Sequence, residues 1–482
     1  MEKIRDPEAD LIYFNGIDTD TGAYATPPIP IADLAKRVER LSSDALGAAW
    51  TAEETRGIAG LLGTDLEYLD QAGWGIIFHE NASEAVRAAL APLIDRRRQQ
   101  AGSRFQILDY RQGEQVREWY QRHGVWAGNV DPELVPYYLL LVGPPTEIPF
   151  DFQYLLSIEY AVGRLAFQQS EDYACYARSV IAYEESAAVD TSKEIVYWST
   201  RHPGDPATTL SNSLLVRPLA YGADAVAGAL KQPVHAEFGY GQRVYEGGEA
   251  TKGALLGVLA GERPPALLFT ASHGMIYHPG QPKQRTDQGG LLCQDWPGHG
   301  RVRAEHYLTA GDIPESARVH GMVAFLFACC GAGTPAKDQF LRDLATPDQA
   351  PMLAPQPFVA ALPQRLLSHP QGAALAVVGH VDRAYSFSIR PPKATGAQIL
   401  PFRSSLGFIL GGTRVGMALM MQFGQRFAAL SAQLLSSVSP SAAEGARLSG
   451  VDLVQCWMER NDAQNYVLLG DPAVRLRSET MG

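Results

Sequence analysis

Residues 267–274 read LLFTASHG, and residues 322–335 read MVAFLFACCGAGTP. Each is an apolar, β-prone run of strand length that stops at a reactive side chain beside glycine. The first delivers His273 and Gly274, the second Cys329, Cys330 and Gly331. Uninterrupted apolar runs of this length read as central strands of a parallel sheet, buried on both faces. In an open α/β sheet the carboxyl ends of such strands form the rim where ligands bind. An imidazole and a thiol on neighbouring strand ends meet at that rim although they are far apart in the chain. This is the pairing that a thiol nucleophile and its proton acceptor need.

The flanking glycines sharpen the reading. Gly274 allows a tight turn and leaves its N–H free to face a substrate carbonyl. The small residues around Cys329 let a substrate backbone come close and leave the nucleophile's own N–H as a second donor. Gly274 and Cys329 are therefore the expected oxyanion pair. A lone histidine or cysteine would more simply be a strand cap or a small core filler. Two of them, each ending an apolar run beside glycine, point to chemistry instead. Side chains alternate along a strand, so a regular strand turns only one of Cys329 and Cys330 toward a cleft.

Working outward, strand and helix patterns alternate on both sides of these runs, as in βαβ units. Residues 75–78, 105–110, 135–142, 193–200 and 373–381 read as strands, and residues 151–156 and 160–167 as further extended pieces. Residues 82–99, 114–122, 171–185 and 251–260 read as helices, and residues 11–22 as a short strand and a turn. Residues 277–317 form a long polar stretch expected to act as a lid, a specificity loop or a site of self-cleavage, with Lys283, Arg285 and Arg301 as cut points for a basic preference. The expected divisions are an accessory or pro-segment-like region at 1–101, a non-catalytic α/β subdomain at 102–190, a catalytic subdomain at 191–401, and a helical segment with a closing strand at 402–482.

Composition narrows the function classes. A net charge of −11 opposes nucleic-acid binding, which needs a basic surface to neutralise phosphates. Five cysteines, none in zinc-like spacing, suit a reducing compartment in which a reactive thiol persists. No apolar stretch is long enough to span a membrane, and the first residues lack a secretory pattern. The expectation is a cytoplasmic protein with no metal, no cofactor, no nucleic-acid partner and no membrane contact.

Strand-His-Gly followed by strand-Ala-Cys-x-Gly resembles the caspase-like cysteine peptidases, nearest to their gingipain-type and CHAT-like bacterial branch. Residues 137–149 (YYLLLVGPPTEIP), 160–164 (YAVGR) and 466–476 (YVLLGDPAVRL) are similar to segments around the catalytic core there, and the resemblance covers about residues 135–476. It implies a caspase-like α/β fold: a three-layer α/β/α sandwich with a mostly parallel central sheet and two α/β subdomains. It also implies a cysteine endopeptidase that acts on protein or peptide substrates through an acyl-enzyme. His273 is then the general base. Ala328-Cys329 and the Cys329-x-Gly331 spacing fit the caspase-like pattern, whereas Cys330-x-x-Gly333 fits the metacaspase and CHAT spacing; Cys329 is preferred and Cys330 is the alternative nucleophile. No third catalytic residue is apparent, so a His-Cys dyad is expected.

By the same resemblance the loop after residues 374–381 helps form the substrate pocket. Asp382 is the candidate partner for a substrate Arg or Lys, and Tyr385 stands beside it; the other reading is that Asp382 pairs internally with Arg383 or His380. Bacterial relatives act in defence or regulated cell death, sometimes switched on by another protein, so an antiviral role and an activating protein are further implications. The alternative function is a catalytically silent binding or scaffold module. Its mark would be loss of the His or the Cys, and this chain keeps both.

Overall fold

The computed structural model describes residues 11–39, 63–222, 232–342, 350–384, 389, 398–438, 448 and 450–481. Among them, ten strands share one sheet. In chain order these are β1 (Trp74–His79), β2 (Phe105–Tyr110), β3 (Tyr138–Val142), β4 (Ala161–Leu165), β5 (Ser192–Ser199), β6 (Gly241–Glu246), β7 (Pro265–Ala271), β8 (Val323–Phe327), β9 (Ala376–His380) and β10 (Tyr466–Gly470). Across the sheet they lie in the order β2-β1-β3-β4-β10-β9-β8-β7-β5-β6.

Every neighbouring pair is parallel except one. β9 and β10 run antiparallel, from Ala376 opposite Gly470 to His380 opposite Tyr466, while β10 is parallel to β4. Hence β1–β4 and β10 point one way, and β5–β9 point the other. The sheet is two parallel α/β halves fused along one antiparallel seam. Their carboxyl ends lie on opposite edges, so the rim reached by β7 and β8 is built by the second half.

Burial follows the sequence pattern. Every residue of β3, β4, β7, β8, β9 and β10 is buried, which accounts for their mostly apolar runs, broken by Arg164 in β4, Thr270 in β7 and His380 in β9. The two edge strands, β2 and β6, are partly exposed and carry polar residues, which discourages further strand pairing.

Some expectations are corrected. Residues expected as extended at 151–156 lie in a helix, Phe150–Leu156. Its apolar residues alternate, imitating a strand, because the helix is buried on more than one face. The sheet also crosses the expected divisions at 101/102 and 401/402. β1 pairs along its whole length with β2, and β10 lies in mid-sheet. Arg97 helps bind these parts. Buried on the helix Glu84–Ala101, it pairs at 2.7 Å with Glu184 of the helix Ser170–Glu185 and at 2.7 Å with Asp471 just after β10.

The long polar stretch is ordered by its own small core. Leu291–Leu292 pairs with Tyr307–Leu308, and Met275, Tyr277, Leu292, Trp296, Val302 and Tyr307 pack with Ile17 from the far end of the chain. Ile17–Asp18 continues that contact by pairing in parallel with Met275–Ile276, directly beyond β7. Residues near the start of the sequence thus lie across the rim of the second half.

Candidate active site

The two diagnostic runs end side by side because β7 and β8 pair in register, Leu267 with Val323 through Ala271 with Phe327. Beyond them the chains come so close that a Cβ on Gly274 would strike the Cys329 carbonyl, with the Cys329 nitrogen only 3.1 Å away. Glycine is required at 274 by this approach, which places His273 and Cys329 at one point on the rim.

The paired cysteines diverge. Cys330 has φ 54°, a left-handed conformation rarely taken by a non-glycine residue. The break in strand geometry turns the two thiols to different surroundings. Cys329 Sγ receives the Ala384 amide at 3.2 Å and donates to the carbonyl of Asn15. Cys330 is enclosed near Gln288 and Thr334; burial, then the charge of Asp382, pushes its thiol up to about 12. Burial also raises the Cys329 thiol far above the ordinary range. With the cleft covered, both are held as neutral thiols.

His273 is fully buried and bonded at both ring nitrogens. Nδ1 accepts the Gly16 amide at 2.9 Å, and Nε2 lies 2.8 Å from Asp205 Oδ2. A backbone N–H can only donate, so the ring proton sits on Nε2 and is given to the carboxylate. Burial tends to raise the Asp205 pKa, but the charge and hydrogen bond of His273, with help from Thr208 and Tyr24, hold it far below the usual carboxylate range. Tyr24 donates to Asp205 and meets the His273 ring edge-on at 5.5 Å. Nearby His202 is buried; desolvation, then the charge of His273, pushes it down to about 4 and keeps it neutral.

Asp205 is the member of the cluster that the sequence reading missed. It follows β5, the strand beside β7, and caps the helix Pro206–Leu210 by accepting from Ala207 and Thr208. The available signal was Asp205-Pro206, a capping residue followed by proline at the first helical position. That signal marks a helix start and says nothing of the histidine across the cleft.

The other expected site residues are placed as follows. Asp382 is fully buried; its carboxylate accepts the Gln339 amide at 2.9 Å and its carbonyl accepts the Cys330 amide. Desolvation, then the neighbouring charge of Asp338, raises Asp382 to about 6. Arg383 pairs with Asp338 at 2.7 Å. His380 stands edge-on to Tyr466, with Asp462 3.5 Å away, and its Nδ1 accepts the Asp382 amide. Tyr385 lies outside the described residues. Lys283, Arg285 and Arg301 belong to the ordered stretch over the rim, where Lys283 pairs with Asp287 and Arg301 with Asp20. Among the described residues no group of His, Cys, Asp and Glu is arranged to hold a metal.

A mostly parallel sheet carrying an imidazole and a thiol on adjacent strand ends defines the class of caspase-like cysteine peptidases. The family model for Peptidase family C25 matches residues 75–477, and the chain belongs to that family, the gingipain family. Its members are cysteine-type peptidases, so the protein is a hydrolase of protein or peptide substrates. Among solved structures it is similar to one described as a protease, at 13% identity and TM-score 0.46, over 86% of this chain and 81% of that one. It is also similar to the pro- and mature domains of RgpB from Porphyromonas gingivalis, at 11% identity and TM-score 0.42, over 84% and 80% of the chains. A third likeness is to separase in the Saccharomyces cerevisiae separase–securin complex, at 9% identity and TM-score 0.29, over 70% of this chain and 15% of that one. No curated protein sequence matches.

Proposed function

We propose that this peptidase is an endopeptidase whose working group is Cys329, His273 and Asp205. The observation that carries the reading is the double bonding of His273, with a peptide N–H on Nδ1 and a buried carboxylate on Nε2. In the reaction Cys329 Sγ attacks the substrate carbonyl carbon and its proton passes to His273. His273 then protonates the leaving amine, and water resolves the acyl-enzyme. Asp205 steadies the ring and the positive charge it acquires. The amides of Gly274 and Cys329 stabilise the oxyanion. Nothing in this sequence of steps calls for a cofactor.

The covered cleft supports a regulated enzyme. An event that lifts residues 14–19, whether an activating protein or a cut, exposes Cys329 and lets its thiol ionise. A defence pathway would use such a switch. Five free cysteines favour a reducing, cytoplasmic setting.

The test is hydrolysis of a pooled fluorogenic peptide library by the wild type and by Cys329→Ala, Cys330→Ala and His273→Ala. Activity should vanish with Cys329→Ala and His273→Ala and survive Cys330→Ala. Activity that persists in both of the first two variants rejects the mechanism.

A further inference from the structure

The segment over the rim doubles back on itself. Residues 16–25 fold into a hairpin: Ile17 bridges Tyr24, the Asp18 amide donates to the Ala23 carbonyl at 2.9 Å, and the Ala25 amide donates to the Gly16 carbonyl at 3.0 Å. Asp18 Oδ1 holds the turn by accepting the Asp20 and Thr21 amides. The leading strand lies along Met275–Ile276 and covers Cys329. The return strand runs beside it and carries Tyr24 to the catalytic group. Tyr24 precedes residues 75–477, so it lies outside the span that matches the family.

Tyr24 touches both Asp205 and His273. Its hydroxyl donates to Asp205 Oδ1, while Oδ2 takes His273 Nε2 and the Thr208 hydroxyl. Among the described residues Oδ1 otherwise accepts the Ala207 amide, at a longer 3.3 Å. The Tyr24 ring stands at 84° to the His273 ring, edge-on at 5.5 Å. Rotation of an aspartate carboxylate about its last bond is soft, so an anchor on each oxygen sets the plane that the imidazole meets. A hydroxyl given to one oxygen also draws negative charge from the other. Burial, then the charge of Asp205, raises the Tyr24 hydroxyl above its ordinary range and keeps it a donor.

The return strand has anchors of its own. Asp20 pairs with Arg301 at 3.3 Å and accepts from Gln281 at 3.2 Å. Gly22 has φ 69° and lies so close to Gly300 that a Cβ would strike the Gly300 carbonyl. Tyr24 packs against the small core that contains Met275, Trp296 and Tyr307.

We infer that Tyr24 is a positioning residue of this peptidase, whose hydroxyl fixes the plane of Asp205 and shares its charge, so that Asp205 orients His273; the inference rests on the assignment of Cys329, His273 and Asp205 above. When the leading strand lifts from Cys329, the return strand keeps its place and Tyr24 keeps its bond. The other titratable groups facing this set are Tyr13, whose ring lies 5.8 Å from that of Tyr24, His202, which is held neutral, and the Cys329 thiol. Without the hydroxyl, Asp205 turns more freely and His273 is less well aimed. The carboxylate also keeps more of its charge and holds the imidazolium more strongly.

The experiment compares the wild type with Tyr24→Phe, which keeps the ring and deletes the hydroxyl. Peptide hydrolysis is followed across pH, and proton NMR follows the low-field signal of the His273 Nε2 proton, assigned by its loss in His273→Gln. The expected result for Tyr24→Phe is a kcat about tenfold lower, a KM within about twofold, and an alkaline limb of kcat/KM raised by about half a pH unit. The Nε2 proton should move further downfield, because its acceptor is stronger. Unchanged kcat and pH profile overturn the inference and leave the peptidase assignment standing. A lower kcat with a matching rise in KM and an unmoved profile marks a merely structural hydroxyl and overturns it too. A higher kcat overturns it by showing that the hydroxyl only ties down the covering segment. If the wild type cuts no peptide, the peptidase reading fails and the resonance decides: an unmoved signal in Tyr24→Phe overturns the inference, and a downfield shift keeps Tyr24 as the residue that orients the Asp205–His273 pair.

Discussion

The amide of Gly16 donates to Nδ1 of His273 over 2.9 Å, although 257 residues separate the two in the chain. The contact sets the imidazole's tautomer, since Nδ1 must accept and the proton on Nε2 is given to Asp205. It also places the beginning of the described chain inside the cleft that the second half of the sheet builds.

Asp205 holds two roles that substitution can separate. Asn still caps a helix, so Asp205→Asn should keep the stability of the helix Pro206–Leu210 while removing the charge behind His273. The expected outcome is a fall of about 100-fold or more in kcat, with little change in KM or Tm. Asp205→Ala should lose as much activity and also about 1 kcal/mol of stability from the missing cap. Equal kcat in Asp205→Asn and the wild type would leave the carboxylate as a helix cap alone.

The two cysteines should respond oppositely. Cys329→Ala is expected to abolish turnover. Cys330→Gly replaces a left-handed non-glycine residue with one that adopts φ 54° freely, so it should fold normally and stay active. Steady-state rates for the two proteins decide this, and an inactive, folded Cys330→Gly would move the nucleophile to the second thiol.

The meeting of His273-Gly274 with Cys329 was legible because they lie on the strongest strand signals in the chain, where burial on both faces favours an apolar run. The parallel halves were legible for the same reason. The antiparallel seam was not, since the register of β9 against β10 pairs residues as far apart as Ala376 and Gly470 and leaves no local mark. Phe150–Leu156 misled because a buried helix with alternating aromatics lacks the polar face that reveals a helical period. Asp205 was hidden as an ordinary cap. Residues 11–22 read as a short strand and a turn, and nothing in their composition tells that Ile17–Asp18 pairs with Met275–Ile276 beyond β7.

The buried cluster around Arg97 should carry a large share of stability. Arg97→Met leaves the fully buried Asp471 without its cation and Glu184 with Arg96 alone, at 3.5 Å, and about 3–5 kcal/mol should be lost. Urea unfolding would measure it. A loss below about 1 kcal/mol would mean that the two carboxylates find water or other donors.

Acid should act on His202 and then on Glu184. His202 is pushed down to about 4 from an ordinary 6.5, first by desolvation and then by the charge of His273. The unfolded chain therefore takes up this proton first, and stability should fall as pH drops from 6.5 toward 4. Burial alone would raise Glu184, but Arg97 outweighs it and holds the group at about 2 against an ordinary 4.5. A depressed carboxylate stabilises above its unfolded pKa, so this contribution is present above pH 4.5 and lost as pH falls toward 2. Urea midpoints across pH 7 to 3 should show both declines. His202→Gln should flatten only the upper one, and an unchanged slope between pH 6.5 and 4 would remove His202 as its source.

Gly16 controls how tightly the cleft is closed. Any side chain there meets both a backbone angle of φ 131° and the 3.1 Å approach to Ile276, so Gly16→Val cannot keep the segment as it lies. Its displacement should admit water to Cys329, lower the thiol's pKa from its buried value and speed its alkylation. The expected outcome is alkylation of Cys329 by iodoacetamide at least about tenfold faster in Gly16→Val than in the wild type, with Cys330 unchanged, since accessibility and thiolate fraction rise together. Peptide mapping of the labelled protein separates the two thiols. Equal labelling rates would mean that residues other than 14–19 shield the nucleophile, and that the bond from Gly16 to His273 is made without closing the site.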